Sequence, residues 1–313
     1  KLLEEEALPI SIGEIWYNGY RHIQSVVKVS ANGEHFVHNN ICKAVQLAES
    51  KKISARQGCT LSTLIARKGI PWNVPLSGAT IKGLYSFSFG KATIHILSPN
   101  SDDISNVESF WKKKLIIDGL LSKAHSEEFW DDAFEYSLSK DKPGFHYHER
   151  NVSKSYDLIK MMEEIYEPDD SATNGSSIAF VLEVDEKRVL FLGDAHAETI
   201  VDSLMELYGK ENAPFWFDAV KLSHHGSYNN NSPELLKLIR CNNWLISTNG
   251  DKYNHPDLPT LAHIIANGNN HEPRLYFNYN IELSRELTAQ SYHDDFEFEI
   301  ITPVGEQGIT ITI

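Results

Sequence analysis

Cysteine is scarce in this sequence. There are three in 313 residues, Cys42, Cys59 and Cys241, an odd number with no CxxC spacing. That excludes a disulfide framework and a zinc ribbon, and a reducing, cytoplasmic setting is the expectation. Long apolar runs are absent as well; none approaches the roughly eighteen residues a membrane span requires, so no membrane association is expected. Basic residues are outnumbered, with 29 Lys and Arg against 43 Asp and Glu, for a net charge of −14. This balance excludes a broad nucleic-acid-coating surface, which needs clustered Lys and Arg. It leaves a nuclease open, because bound divalent ions carry positive charge of their own. No signal peptide is visible at Lys1.

What is present reads as an ordinary globular composition, 41% hydrophobic and 23% charged. Residues 12–20 read as a short strand closed by Asn18-Gly19, and 40–68 has helical spacing ended by Gly69 and Pro71. Residues 84–97 alternate like a hairpin, interrupted at Gly90. A long amphipathic stretch, 101–140, carries Phe110, Trp111, Phe129 and Trp130 and predicts one or two surface helices; 153–165 predicts another. The segment 101–165 stands apart as a helical insertion, a surface on which a protein partner is able to dock. Beyond it, strands at 178–184 and 188–192 precede a helix at 198–208; a strand at 215–222 precedes a helix at 233–240, with Ser232 as N-cap. Then follow a strand at 243–248, a helix at 258–267, a strand at 274–278 and tail strands at 296–301 and 308–313. Strands alternating with helices indicate an α/β layered fold, and the tail strands suggest mixed pairing.

Two strand ends carry the chemistry. Val189 to Leu192 runs into Gly193-Asp194, where glycine lets the backbone turn and present a lone carboxylate. Ala219 to Leu222 runs into Ser223-His224-His225-Gly226-Ser227. A carboxylate and imidazoles delivered to one sheet edge suit a borderline divalent metal, zinc above all, with manganese or iron as alternatives. The bland reading is that each motif is an isolated turn. An apolar strand before each and a helix after each favour the metal reading.

Those motifs also carry a resemblance. Asn174-Gly-Ser-Ser-Ile, LFLGDAHAE (190–198), DAVKLSHHGS (218–227) and ISTNGDKYNHP (246–256) resemble the metallo-β-lactamase fold hydrolases. More narrowly they are similar to the branch shared with the C-terminal domain of ComEC-type competence proteins, in order over about residues 174–280; IWYNGYRHI (15–23) resembles the segment just after that branch's first metal motif. The resemblance implies an αββα sandwich of mixed sheets and a two-metal site, two zinc ions as the expectation. Asp194 matches the bridging carboxylate. The His224-His225 pair supplies the last histidine ligand, with His225 favoured for the metal and His224 for substrate phosphate. Asn174 and Ser227 support the site or the substrate. Lys221 lies in or beside it, with Asp218 as structural partner. His255 either lines the pocket or serves an ordinary turn before Pro256. Glu198 reads as helix N-terminal charge.

One family element is missing: HxHxDH occurs nowhere in the 313 residues. The only other close histidine pairs, His35 with His38 and His146 with His148, lack the apolar strand and the DH that the motif needs. The sequence therefore reads as a single metallo-hydrolase domain, 1–313, without its N-terminal portion. Its expected activity is metal-dependent hydrolysis of phosphodiesters by a metal-activated water, on nucleic acid. A small phosphoester as substrate and a catalytically incomplete partner-binding module are the alternatives.

Overall fold

The computed structural model describes residues 3, 5, 8–23, 61–117, 157–251, 253–267, 272–288, 296–305 and 308–313, with 115 and 116 by main chain alone. Residues 40–60 of the helix expected over 40–68, residues 118–156 of the insertion, and the pairs His35/His38 and His146/His148 lie outside the described residues. The chain divides into two compact units: one holds the described residues of Lys1–Ile81 and Ser101–Lys142, the other those of Lys82–Asn100 and Pro143–Ile313.

The first unit contains helices α1 (Tyr20–Ile23), α2 (Leu61–Lys68) and α3 (Ser101–Ile117). The strand expected at 12–20 reduces to one parallel bridge between Ile15 and Trp72. The reason is local. Asn73, held at φ 49°, accepts from the Tyr17 N–H at 3.0 Å and donates to the Tyr17 carbonyl at 3.2 Å, so no strand partner is needed there. Asparagine tolerates that left-handed backbone better than most residues. Tyr20 and Trp111, both buried, pack with their rings tilted at 46° and ring centres 4.6 Å apart. Trp111 and Val107, one turn apart on α3, thus turn inward rather than outward.

The second unit is mixed α/β. Its large sheet has the order β1-β2-β3-β4-β6-β8-β9-β10, made of β1 (Tyr85–Phe89), β2 (Ala92–Ser98), β3 (Ala179–Val184), β4 (Lys187–Phe191), β6 (Ala219–Lys221), β8 (Asn243–Ile246), β9 (Arg274–Phe277) and β10 (Glu299–Ile301). The first four strands pair antiparallel; from β4 onward every pair is parallel. Parallel strands need crossovers, and helices α6 (Ala197–Tyr208), α7 (Pro233–Leu238) and α8 (Leu258–Ala266) lie in those connections. Ala197, Ile200, Val201 and Leu204 form the buried stripe of α6, and Ser203 Oγ fixes that helix to the Leu97 carbonyl of β2 at 2.7 Å. Helix α8 is buried along nearly its whole length, as expected of a crossover between a sheet and other helices.

Several expectations change. The single strand at 215–222 breaks at Asp218. There the main-chain N–H donates to the Arg188 carbonyl at 2.8 Å and the carboxylate accepts from Arg188 N–H at 2.9 Å and Lys187 Nζ at 3.0 Å. Residues before the break form β5 (Phe215–Phe217), which pairs in parallel with β7 (Ile239–Cys241) as a separate two-stranded sheet. Strand β7 takes residues expected to close helix α7; Ile239 is already extended at φ −103°. Ser232 caps α7 as anticipated, accepting from Leu235 N–H at 3.1 Å. Helix α9 (Glu282–Thr288) was not anticipated, and residues 308–313 form no strand. Short one-turn helices α4 (Leu158–Met161) and α5 (Ala172–Gly175) occupy the approach to β3. No helix among the described residues is long and apolar enough to cross a membrane.

Candidate functional site

The ends of β4 and β6, neighbours in the parallel half of the sheet, deliver Asp194 and the two histidines to one edge, where ligands gather in open α/β sheets. Two hydrogen bonds fasten these ends together. His224 N–H donates to the Gly193 carbonyl at 2.8 Å, and buried Ser223 donates through Oγ to the Ala195 carbonyl at 2.9 Å. Asn231, fully buried, braces the loop from inside: it accepts from Ser223 N–H at 3.2 Å and donates to the Ser223 and Ser227 carbonyls at 2.9 and 2.6 Å.

The double-histidine turn is backbone-strained. His224 and His225 have φ of 41° and 59°, both in the left-handed region. Such residues cost about 1–3 kcal/mol each and concentrate at functional sites. Gly226 follows at φ 90°, and a Cβ there would sit 2.6 Å from Pro256 Cβ. Only glycine allows the His255-Pro256 loop so close. Ser227 is buried and acts through its main chain, its N–H donating to the His224 carbonyl at 3.0 Å.

All three histidines share one pattern. His224 Nδ1 faces Asn230 Oδ1 at 2.9 Å, His225 Nδ1 bonds the Ser247 carbonyl, and His255 Nδ1 meets Asp257 Oδ1 at 3.0 Å. Each partner is an acceptor, so each neutral ring carries its hydrogen on Nδ1 and keeps the Nε2 lone pair free. Asp257 Oδ2 also accepts from Tyr228 N–H at 2.7 Å, which anchors the His255 loop to the loop after β6. The His224 ring lies 5.3 Å from His255, 5.9 Å from His225 and 6.5 Å from Tyr253.

Asp194 is half-buried. Its N–H donates to Ser177 Oγ at 3.1 Å, and its carboxylate acts on two neighbours. Burial lowers the Lys221 pKa to about 8, against the opposing pull of Asp194. Burial also lowers the pKa of His225, again with Asp194 opposing. Lys221 therefore belongs to the Asp194 end of the site, its Nζ donating to the Leu222 carbonyl at 2.8 Å. Its expected partner, Asp218, is instead taken by Lys187 and Arg188.

Asn174 lies within this cluster. It donates through Nδ2 to Asp169 Oδ2 at 2.6 Å and stands 3.4 Å from His224 Nδ1. Glu198 sits in the first turn of α6, as expected, and accepts from the Tyr166 hydroxyl at 2.9 Å. Burial, with the Glu198 charge behind it, pushes that phenol's pKa up.

Sequence reasoning brought forward Asp194, Lys221, His224, His225, His255 and Asn174, and these converge. It missed Asp169, Asn230, Asn231 and Asp257. The available signal was the polar run Asn229 to Ser232 directly behind HHGSY, and an Asp directly after Pro256.

The donor chemistry, a carboxylate with imidazoles whose second nitrogens are held by oxygen, is the kind that binds divalent metals. The number gathered is short of a full shell. Among the described residues, no three His, Cys, Asp or Glu side chains form a group that could hold a metal ion. No protein-family model matches the chain, and no curated protein matches it.

Proposed function

We propose that this chain is a metal-dependent hydrolase of the metallo-β-lactamase type that cleaves phosphodiesters, with nucleic acid as the preferred substrate class. The observation that carries the reading is the strained His224-His225 turn placed beside Asp194 at the ends of adjacent parallel strands. The antiparallel-then-parallel order of the large sheet supports the scaffold. Asp194 and His225 are the residues that would hold a metal here. A divalent metal bound there, two zinc ions being the expectation, would lower the pKa of a water toward neutral pH.

The protein's own groups have separable tasks. Asp194 presents a carboxylate at the end of β4 and offsets the buried charge of Lys221. Lys221 brings positive charge to the edge where a phosphate would lie. His224 and His255, with ring centres 5.3 Å apart, each keep an Nε2 able to accept a proton or, once protonated, to donate to a phosphate oxygen.

The second reading is a partner-binding module on the same scaffold. Elemental analysis of the full-length protein decides between them, run beside hydrolysis of bis(p-nitrophenyl) phosphate, long DNA and long RNA. Bound metal that is lost in Asp194→Ala, together with diester cleavage, supports the hydrolase. Cleavage of the small diester alone points to a small-substrate phosphoesterase. Neither metal nor cleavage overturns the enzyme reading and leaves the binding module.

A further inference from the structure

Asp169 lies outside every motif that marks the site, in the acidic connector ahead of α5. It is half-buried, and its carboxylate gathers three donors. Oδ1 accepts from Ser171 N–H at 2.9 Å, and Oδ2 accepts from Asn174 Nδ2 at 2.6 Å and Asn230 Nδ2 at 2.7 Å. An ionised carboxylate only accepts, so both amides must turn their NH₂ groups toward it. Asn230 Nδ2 also donates to the Asp194 carbonyl at 3.2 Å, which holds the same orientation. The Oδ1 of Asn230 is then left facing His224 Nδ1 at 2.9 Å, and an acceptor there requires the imidazole to carry its hydrogen on Nδ1.

We infer that Asp169 is a positioning residue: through Asn230 it fixes the tautomer and ring orientation of His224, so that Nε2 faces the reaction edge as a lone pair. The inference rests on the hydrolase reading for its catalytic consequence. The proton assignment itself does not depend on that reading. Asn174 does not complete the same chain. Its NH₂ points at Asp169 and reaches His224 Nδ1 only at 3.4 Å, against 2.9 Å for Asn230 Oδ1, so the shorter contact sets the hydrogen on the ring. Carboxylates that orient a site histidine from behind change activity by roughly 10–100-fold when removed.

The test is the histidine ¹⁵N spectrum of the full-length protein at a pH where the rings are neutral, with His224 assigned through His224→Gln. Wild type is expected to show His224 protonated on Nδ1, the less favoured form in water. Asp169→Asn, close in size, is expected to give a mixture of tautomers with the thermal unfolding midpoint little changed, and a roughly tenfold or greater loss of diester hydrolysis. Asn230→Ala should give the same mixture, whereas Asn174→Ala should keep Nδ1–H. Wild-type His224 protonated on Nε2 overturns the inference, and so does an unaltered Nδ1–H signal in folded Asp169→Asn. Should that variant fail to fold, the wild-type and Asn230→Ala spectra still decide. Absence of hydrolysis in wild type would sink the functional reading while leaving the tautomer assignment intact.

Discussion

The main-chain N–H of His224 donates to the carbonyl of Gly193 at 2.8 Å, so the turn that bears the histidines is hydrogen-bonded to the turn that bears Asp194. Gly193 has φ 56°, and a Cβ there would lie 3.2 Å from the Ile178 carbonyl oxygen. Gly193→Ala is expected to cost about 1–2 kcal/mol from the left-handed backbone alone. It should also lower hydrolysis more than a stability loss of that size explains, because Asp194 moves with it. Urea unfolding and diester cleavage on the same preparation check this.

Asn231 has a purely structural task in the same loop. Truncation to alanine strands the Ser223 N–H and the Ser223 carbonyl in a buried setting, while the Ser227 carbonyl keeps the Asn230 N–H at 3.2 Å. Each unsatisfied buried group costs about 1–3 kcal/mol, so Asn231→Ala should lose at least about 2 kcal/mol in urea unfolding. An unchanged midpoint would show that water replaces the side chain.

Lys221 separates charge from folding. Its ammonium is desolvated beside Asp194, with a pKa lowered to about 8. Lys221→Met keeps most of the stem and removes a costly buried charge. Stability should be unchanged or raised, while phosphodiester cleavage falls by about tenfold or more, as expected when a charge aimed at the transition state is lost. Loss of stability without loss of cleavage would place Lys221 in the scaffold instead.

His22, in the first unit, gives a pH signature. Burial, with the Arg21 charge adding to it, lowers its pKa from 6.5 to about 4. Between those values the unfolded chain binds a proton that the folded chain does not, so this histidine makes stability fall as pH falls through the window. The C2-proton resonance of His22 should titrate with a midpoint near 4. His22→Asn should flatten the difference in unfolding midpoint between about pH 6.5 and 4.

Local pattern in the sequence was enough for elements whose own residues specify them. The hairpin at 84–97, the cap at Ser232 and the apolar strands before Gly193 and Ser223 are of this kind. It misread 215–222 because Phe215 to Val220 is uniformly apolar apart from Asp218, and only the Asp218–Arg188 bonds divide that run between two sheets. Helix α9 was missed because Glu282–Thr288 is short and largely polar, with only Leu283, Ser284 and Leu287 buried. Lys221 was paired with Asp218, three residues away on the same run, when its electrostatic neighbour is Asp194 at the end of the adjacent strand.

The sequence by itself determined which chemical groups reach the sheet edge, because strand periodicity and glycine turns are local properties of a few consecutive residues. Asp194, His224 and His225 were legible for that reason. Only the tertiary structure decided how those groups are held. Asp169 reaches His224 through Asn230, across a sequence separation that no local period records. Asp257 holds His255 and Tyr228 at once. A buried hydrogen bond needs two partners brought together from different elements, and the folding of the sheet is what brings them.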